Sequence, residues 1–298
     1  MGKNGWAGAG TCLASGPDVV PATGADHLLI GANIMRNATV VARCFGDFSL
    51  HVDGYLVNSW HAGKARNLFQ YLLVNRGRVI RREKLFEILW PESEWSPTAS
   101  SLKVAMHSVR RILRQAARAR VPIDIVSRDH GYLLLANELW LDIDEFDLAM
   151  SAGQTAEAQG RTAAALAAYR QAVELYVGDF LGTERADWIS DQRQCHRALA
   201  LYALTYLRAE ALRADDHPAT IQLCRRILAI DPYHEETYQS LMLTHGRRGE
   251  LAQVRNWHQL CVQRLRNDLD VSTTNTTRQI FTRAVRGELR PAGLVFAS

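Results

Sequence analysis

Residues 99–120, ASSLKVAMHSVRRILRQAARAR, hold six Lys or Arg and one His, and no Asp or Glu interrupts them. A solvated surface helix ordinarily mixes both signs, because opposite charges four residues apart stabilise it by roughly 0.2–0.5 kcal/mol per pair. Here that support is missing. At about 100° per residue the stretch reads as a helix with two faces. Leu102, Ala105, Met106, Val109, Ile112 and Leu113 fall on one side. Lys103, His107, Arg110, Arg111 and Arg114 fall on the other, with Ser100 at the start and Val104 among them. The first face belongs to a core; the second is open to an outside anion, unless it is merely a solvated basic surface.

Working outward, the segment RCFGDFSLHVDGYLVNSW (43–60) alternates short apolar runs, and Asp53-Gly54 between them is a two-residue hairpin signal. HAGKARNLFQYLLVNRG (61–77) is amphipathic, with Leu68, Phe69, Tyr71 and Leu72 inward and Gly77 as its expected C-terminal cap. RREKLFEILWPES (81–93) reads as a shorter helix stopped by Pro91, and Ser96-Pro97-Thr98 announces the third. IDIVSRDHGYLLL (123–135) reads as two strands around the turn Arg128-Asp129-His130-Gly131. Strands, three helices and a hairpin in that order are the layout of a winged helix-turn-helix, whose third helix can lie in a DNA major groove.

Charge agrees with this placement. The net charge is +4 over 298 residues, but residues 41–140 carry fifteen Lys or Arg against nine Asp or Glu, and residues 141–298 carry eighteen against twenty. The positive charge is therefore local, as a nucleic-acid footprint requires. Five scattered cysteines without a C-x-x-C pair argue against a disulfide framework or a zinc site. No apolar run has the length of a signal peptide's core or a membrane span, so a cytoplasmic protein is expected. Residues 1–40, rich in Gly and Ala, read as a disordered leader in which Leu28 to Met35 could form a short helix; residues 288–298 read as a tail.

Beyond the hairpin, Ala163 to Tyr176, Ala198 to Ala214, Ala219 to Ile230, Glu235 to Arg247 and Leu251 to Leu269 are Ala- and Leu-rich amphipathic segments. Gly160, Asp231-Pro232 and Gly249 are the breaks between them. ATIQLCRRILAIDPYHEETY followed by GELAQVRNWHQLCVQRL has the spacing of tetratricopeptide-like helix pairs, which stack into protein-binding superhelices. The expected fold is thus mostly α with small β elements: a winged helix over 41–138 followed by an all-α domain over 139–287.

These residues carry a resemblance. From Phe45-Gly46 through GKARNLFQYLLVNRGRVIRREKLFEILWP, SLKVAMHSVRRIL and the closing GYLL, the chain resembles the OmpR-type winged helix, the effector domain of two-component systems. LDIDEFDLAM, RTAAALAAYRQAVELYVGDFL, WISDQR and LRNDLDVSTTNTTRQIF are similar to landmarks of a bacterial transcriptional activator domain. The combination resembles the Streptomyces antibiotic regulatory protein family of activators. Two departures stand out: LDVST where the family often has a Gly-containing turn, and a wing, SRDHGY, without the family's frequent prolines. The resemblance implies a DNA-binding activator that pairs in tandem on short direct repeats of duplex DNA, recruits RNA polymerase and serves a secondary-metabolite gene cluster.

Within that expectation Lys103, His107, Arg110, Arg111 and Arg114 supply base or phosphate contacts, with Arg110 and Arg111 the better readers of guanine and Arg114 a phosphate contact. Arg128 and His130 reach the flanking backbone or minor groove. Lys64 and Arg66 at the first helix's start, and Arg81 and Arg82 at the second's, stand where helix N-termini favour phosphates. No phosphate loop, zinc-protease or nucleophile-elbow motif is present, so neither catalysis nor a metal or cofactor is expected. Cys195 and His196 point about 100° apart on a helix and form no nucleophile–base pair by proximity. His234-Glu235-Glu236 reads as an acidic helix start, and Trp188 and Trp257 read as core. The rival reading is a protein-interaction scaffold whose basic helix meets an acidic protein.

Overall fold

A computed structural model describes residues 38–60, 63–93, 100–116 and 123–289. The expected leader, with its short helix at Leu28 to Met35, the signal Ser96-Pro97-Thr98 and most of the tail lie outside these residues. Strand β1 (Val40–Arg43) pairs antiparallel with β2 (Ser49–Val52) and parallel with β7 (Leu139–Leu141), while β3 (Tyr55–Leu56) completes a four-stranded sheet. The alternation is real: Val40, Ala42, Leu50 and Val52 are buried. The Asp53-Gly54 turn has φ of 50° and 79°, the pair of positive values a two-residue hairpin demands.

Helices α1 (Lys64–Val74), α2 (Arg82–Leu89) and α3 (Ser101–Ala116) follow, and strands β5 (Ile123–Arg128) and β6 (Gly131–Ala136) form the wing. A strand that the sequence did not announce, β4 (Val79–Arg81), pairs with β6, so the wing is a three-stranded sheet in the order β4-β6-β5. Gly77 does not cap α1. The helix ends at Val74 with Asn75 as its cap, and Gly77, at φ 74°, donates its N–H to the Leu134 carbonyl at 3.0 Å, turning the chain into the sheet. Leu68, Phe69, Leu72, Leu85 and Leu89 are buried, and α1 and α2 both pack against α3.

The chain divides into two compact units at His196/Arg197, inside α6 (Asp187–Arg213). The first unit therefore takes in α4 (Asp142–Ala158), α5 (Thr162–Leu175) and the start of α6, past the change of sequence character near residue 138. Its seam is specific. The buried Asp142 carboxylate accepts the backbone N–H groups of Cys44 at 2.8 Å and of Phe45 and Ile143 at 2.9 Å. Burial raises that carboxyl's pKa, an effect the three N–H donors oppose. Phe45 sits 5.0 Å from Phe146, 5.1 Å from Tyr176 and 5.4 Å from His196. Helix α1 joins the same seam, because Trp188 donates to Asn67 at 2.7 Å and Gln70 to Glu184 at 3.1 Å.

The second unit holds the rest of α6 with α7 (His217–Ile230), α8 (Glu235–Arg247), α9 (Leu251–Leu269) and α10 (Asn275–Val285). The limits expected for α8 and α9 match, whereas α6 begins eleven residues before the expected Ala198. Tyr238, Leu241, Met242, Val254, Cys261 and Ala284 form its core. Where LDVST departs from the family, Asp270 takes the left-handed conformation, φ 53°, that a Gly would occupy at no cost and ends α9 there. Glu235 and Glu236 open α8, as their place after Pro232 suggested. No helix among the described residues is long and apolar enough to cross a membrane.

Candidate nucleic-acid interface

The amphipathic reading of α3 holds at each of these positions except Arg110. Leu102, Ala105, Met106, Val109, Ile112 and Leu113 are buried, while Lys103, His107, Arg111 and Arg114 are exposed. Val104 is 63 % exposed among them, an apolar group left in water on an otherwise basic face. Ser100 is exposed just before the helix, and its carbonyl accepts the Val104 N–H at 2.9 Å. The helix carries no acid in its first turn and Arg114 in its last.

Arg110 behaves differently from its neighbours. Half-buried, it donates from Nε at 3.2 Å and Nη2 at 2.6 Å to the Ile125 carbonyl on β5. Its guanidinium lies 5.9 Å from the Tyr132 ring, and that of Arg82 lies 5.6 Å from the same ring. Tyr132 is only 6 % exposed, so it receives two cations in a partly desolvated place where such contacts strengthen. Arg82 also donates its backbone N–H to the His130 carbonyl at 3.0 Å. Together these bonds fasten α2, α3 and the wing to one another.

The wing turn presents Arg128 and His130 to solvent, and Arg81, also exposed, pairs with Gly131 in the β4–β6 register. Lys64 and Arg66 lie elsewhere and have other partners. Lys64 Nζ donates to the Leu89 carbonyl, a group left over at the end of α2, and lies 5.9 Å from the Trp90 ring. Arg66 forms an ion pair with Glu184 at 2.7 Å and lies 5.7 Å from the Phe48 ring. The structure thus gathers Lys103, His107, Arg111 and Arg114 on α3 and Arg81, Arg128 and His130 at the wing, while Lys64, itself exposed, and the half-buried Arg66 have partners within the protein. Sequence reasoning passed over Tyr132, since an aromatic beside a hairpin glycine gives no sign that two arginines will close on it.

Residues 61–134 match the family described as transcriptional regulatory protein, C terminal, and residues 141–285 match the bacterial transcriptional activator domain. The transcriptional regulatory protein MoaR1 of Mycobacterium tuberculosis is 25% identical over 234 residues, covering 75% of this chain and 72% of that protein. The regulatory protein DnrI of Streptomyces peucetius is 26% identical over 197 residues, 64% of this chain and 72% of its own. Among solved structures, Mycobacterium tuberculosis EmbR in complex with a low-affinity phosphopeptide shares the fold with a TM-score of 0.63 at 21% identity, over 86% of this chain and 67% of that one. With an OmpR-type winged helix joined to a bacterial transcriptional activator domain, the chain belongs to the Streptomyces antibiotic regulatory protein family of transcriptional regulators.

Proposed function

We propose that this regulator binds duplex DNA through α3 and its wing and activates transcription from a nearby promoter. The observation that carries the reading is the exposed face of α3, where Lys103, His107, Arg111 and Arg114 meet no acid on their own helix. In this reading Lys103 and Arg111 meet base edges, with Ser100 at the helix entry. Arg114 and His107 hold phosphates, and Arg81, Arg128 and His130 grip the flanking strand. Arg110 and Arg82 act as positioning residues that fix the wing beside the helix. Lys64 and Arg66 serve the protein's own packing. Val104 supplies an apolar contact for a thymine methyl group.

Family resemblance extends the proposal to paired protomers on short direct repeats, recruitment of RNA polymerase by the helical domain, and control of a secondary-metabolite cluster from within the cytoplasm. The reading requires no cofactor and gives the chain no catalytic role. Selection of bound sequences from a random duplex pool, followed by titration across salt, tests it. Phosphate neutralisation makes log affinity fall linearly with log salt, in proportion to the contacts made. A recovered repeat with a steep slope is the expected result. No enrichment and a flat slope would instead favour the scaffold reading, in which the basic face meets an acidic protein.

A further inference from the structure

We propose that the second unit carries a binding site for a small amphipathic organic anion, an apolar body bearing one carboxylate, in the cleft between α7 and the α8–α9 turn. The cleft has a volume of about 650 Å³. That is within the range of roughly 300–1,000 Å³ typical of small-molecule sites. Ile221, Leu251, Ala252 and Trp257 supply its apolar wall. The indole N–H of Trp257 is buried, so what a ligand meets is the ring.

The polar groups converge on one sign of ligand. Arg225 lines the cleft from α7, is exposed, and forms no hydrogen bond or ion pair among the described residues. The acid in the wall, Glu250, is already committed: Oε2 meets His245 Nδ1 at 2.6 Å and Oε1 meets Arg248 Nε at 2.7 Å. The hydrogen bond from His245, then that from Arg248, hold the Glu250 carboxyl below its ordinary pKa, so it stays an acceptor for those two and offers no proton to a ligand. The cation left over is Arg225. A guanidinium fork beside an apolar wall fits a carboxylate bidentately while the ligand's body covers Trp257, Leu251 and Ile221. Such a site would give the regulator an input that the DNA-binding face does not provide.

The test uses the full chain without DNA, so its outcome is independent of the proposed DNA contacts. The probe is 1-anilinonaphthalene-8-sulfonate, an aromatic body with one fixed negative charge, compared with the neutral N-phenyl-1-naphthylamine. Fluorescence titration should show one saturable site for the anion. Arg225→Glu and Arg225→Gln should weaken it by about tenfold or more, the loss of one charge-assisted contact, and leave the neutral probe nearly unaffected. Ala252→Trp should exclude both probes by filling the cleft. Arg225 and Ala252 are exposed, so these variants should keep the parent's circular dichroism. Absence of a saturable site overturns the proposal. Anion affinity unchanged in both Arg225 variants overturns it too, because it would mark a plain apolar surface of the kind a partner helix covers.

Discussion

Arg110 and Arg111 are the same residue side by side, yet one holds the protein and the other faces solvent. Arg110→Ala removes two charge-assisted bonds to the Ile125 carbonyl. It should lower stability by roughly 1–3 kcal/mol and weaken all duplexes alike. Arg111→Ala should leave the melting temperature in place, cost about 1–3 kcal/mol on the preferred site and relax one base position. Arg114→Ala should reduce the salt slope by about one unit. Thermal melts paired with sequence selection separate the three, and an Arg110→Ala variant of unchanged stability that loses one base preference would reverse the assignment. At Asp270 the expectation is the opposite of damage. Its φ of 53° strains an L residue, so Asp270→Gly should raise unfolding free energy by roughly 0.5–1 kcal/mol in denaturant titration.

Elements depend on closer approaches than any one side chain. A Cβ at Gly131 would stand 2.4 Å from the Ile80 carbonyl oxygen and 2.9 Å from its carbon, both backbone atoms of β4. Gly131→Ala must therefore part β4 from β6, with a cost of about 1–3 kcal/mol. DNA affinity should fall with it, because the same register carries Arg81 and the wing turn. In the second unit, His258 stacks on Phe281 with centroids 3.9 Å apart, and burial lowers its pKa below 6.5. Its neutral form is the one the fold favours, so the unfolded chain takes up the proton first. Stability should be complete above pH 6.5 and decline as pH falls below it. His258→Phe should flatten that decline in melts across pH, and an unchanged profile would show that other groups govern it.

For the whole molecule, the seam between the winged helix and α4 to α6 decides which fragments stand alone. Ending the chain near residue 138 removes Asp142 from the Cys44 and Phe45 amides and strips Phe45 of Phe146, Tyr176 and His196. Each lost hydrogen bond to that carboxylate costs roughly 1.5–3 kcal/mol, and the apolar cover of Phe45 is lost with it. A fragment of residues 38–196 should therefore fold cooperatively and bind DNA. A fragment of residues 38–138 should melt well below it, or require low temperature to bind at all. Equal melting temperatures for the two fragments would show that the seam adds little. Loss of tandem pairing would lower the affinity of both relative to the full chain, since linked sites raise effective concentration.

How much of this was legible without coordinates follows from the range of the forces involved. The two faces of α3, the Asp53-Gly54 hairpin and the breaks at Gly160, Pro232 and Gly249 are local. Periodicity and turn stereochemistry act within a few residues, and the sequence by itself determined them. The family pattern likewise lay in linear motifs. Placement of Arg110 is different: by helical angle it belongs at the middle of the basic face, and only β5 lying beside α3 supplies the carbonyl that claims it. Lys64 and Arg66 find partners at the end of α2 and at Glu184, the latter more than a hundred residues distant in sequence. Strand β4 is three residues long, too short to show a period, and exists through its pairing with β6. Long-range hydrogen bonds and packing choose among side chains that local pattern treats as equal, so the basic face was read from sequence, while its division into solvent-exposed side chains and one bonded within the protein came from the tertiary structure.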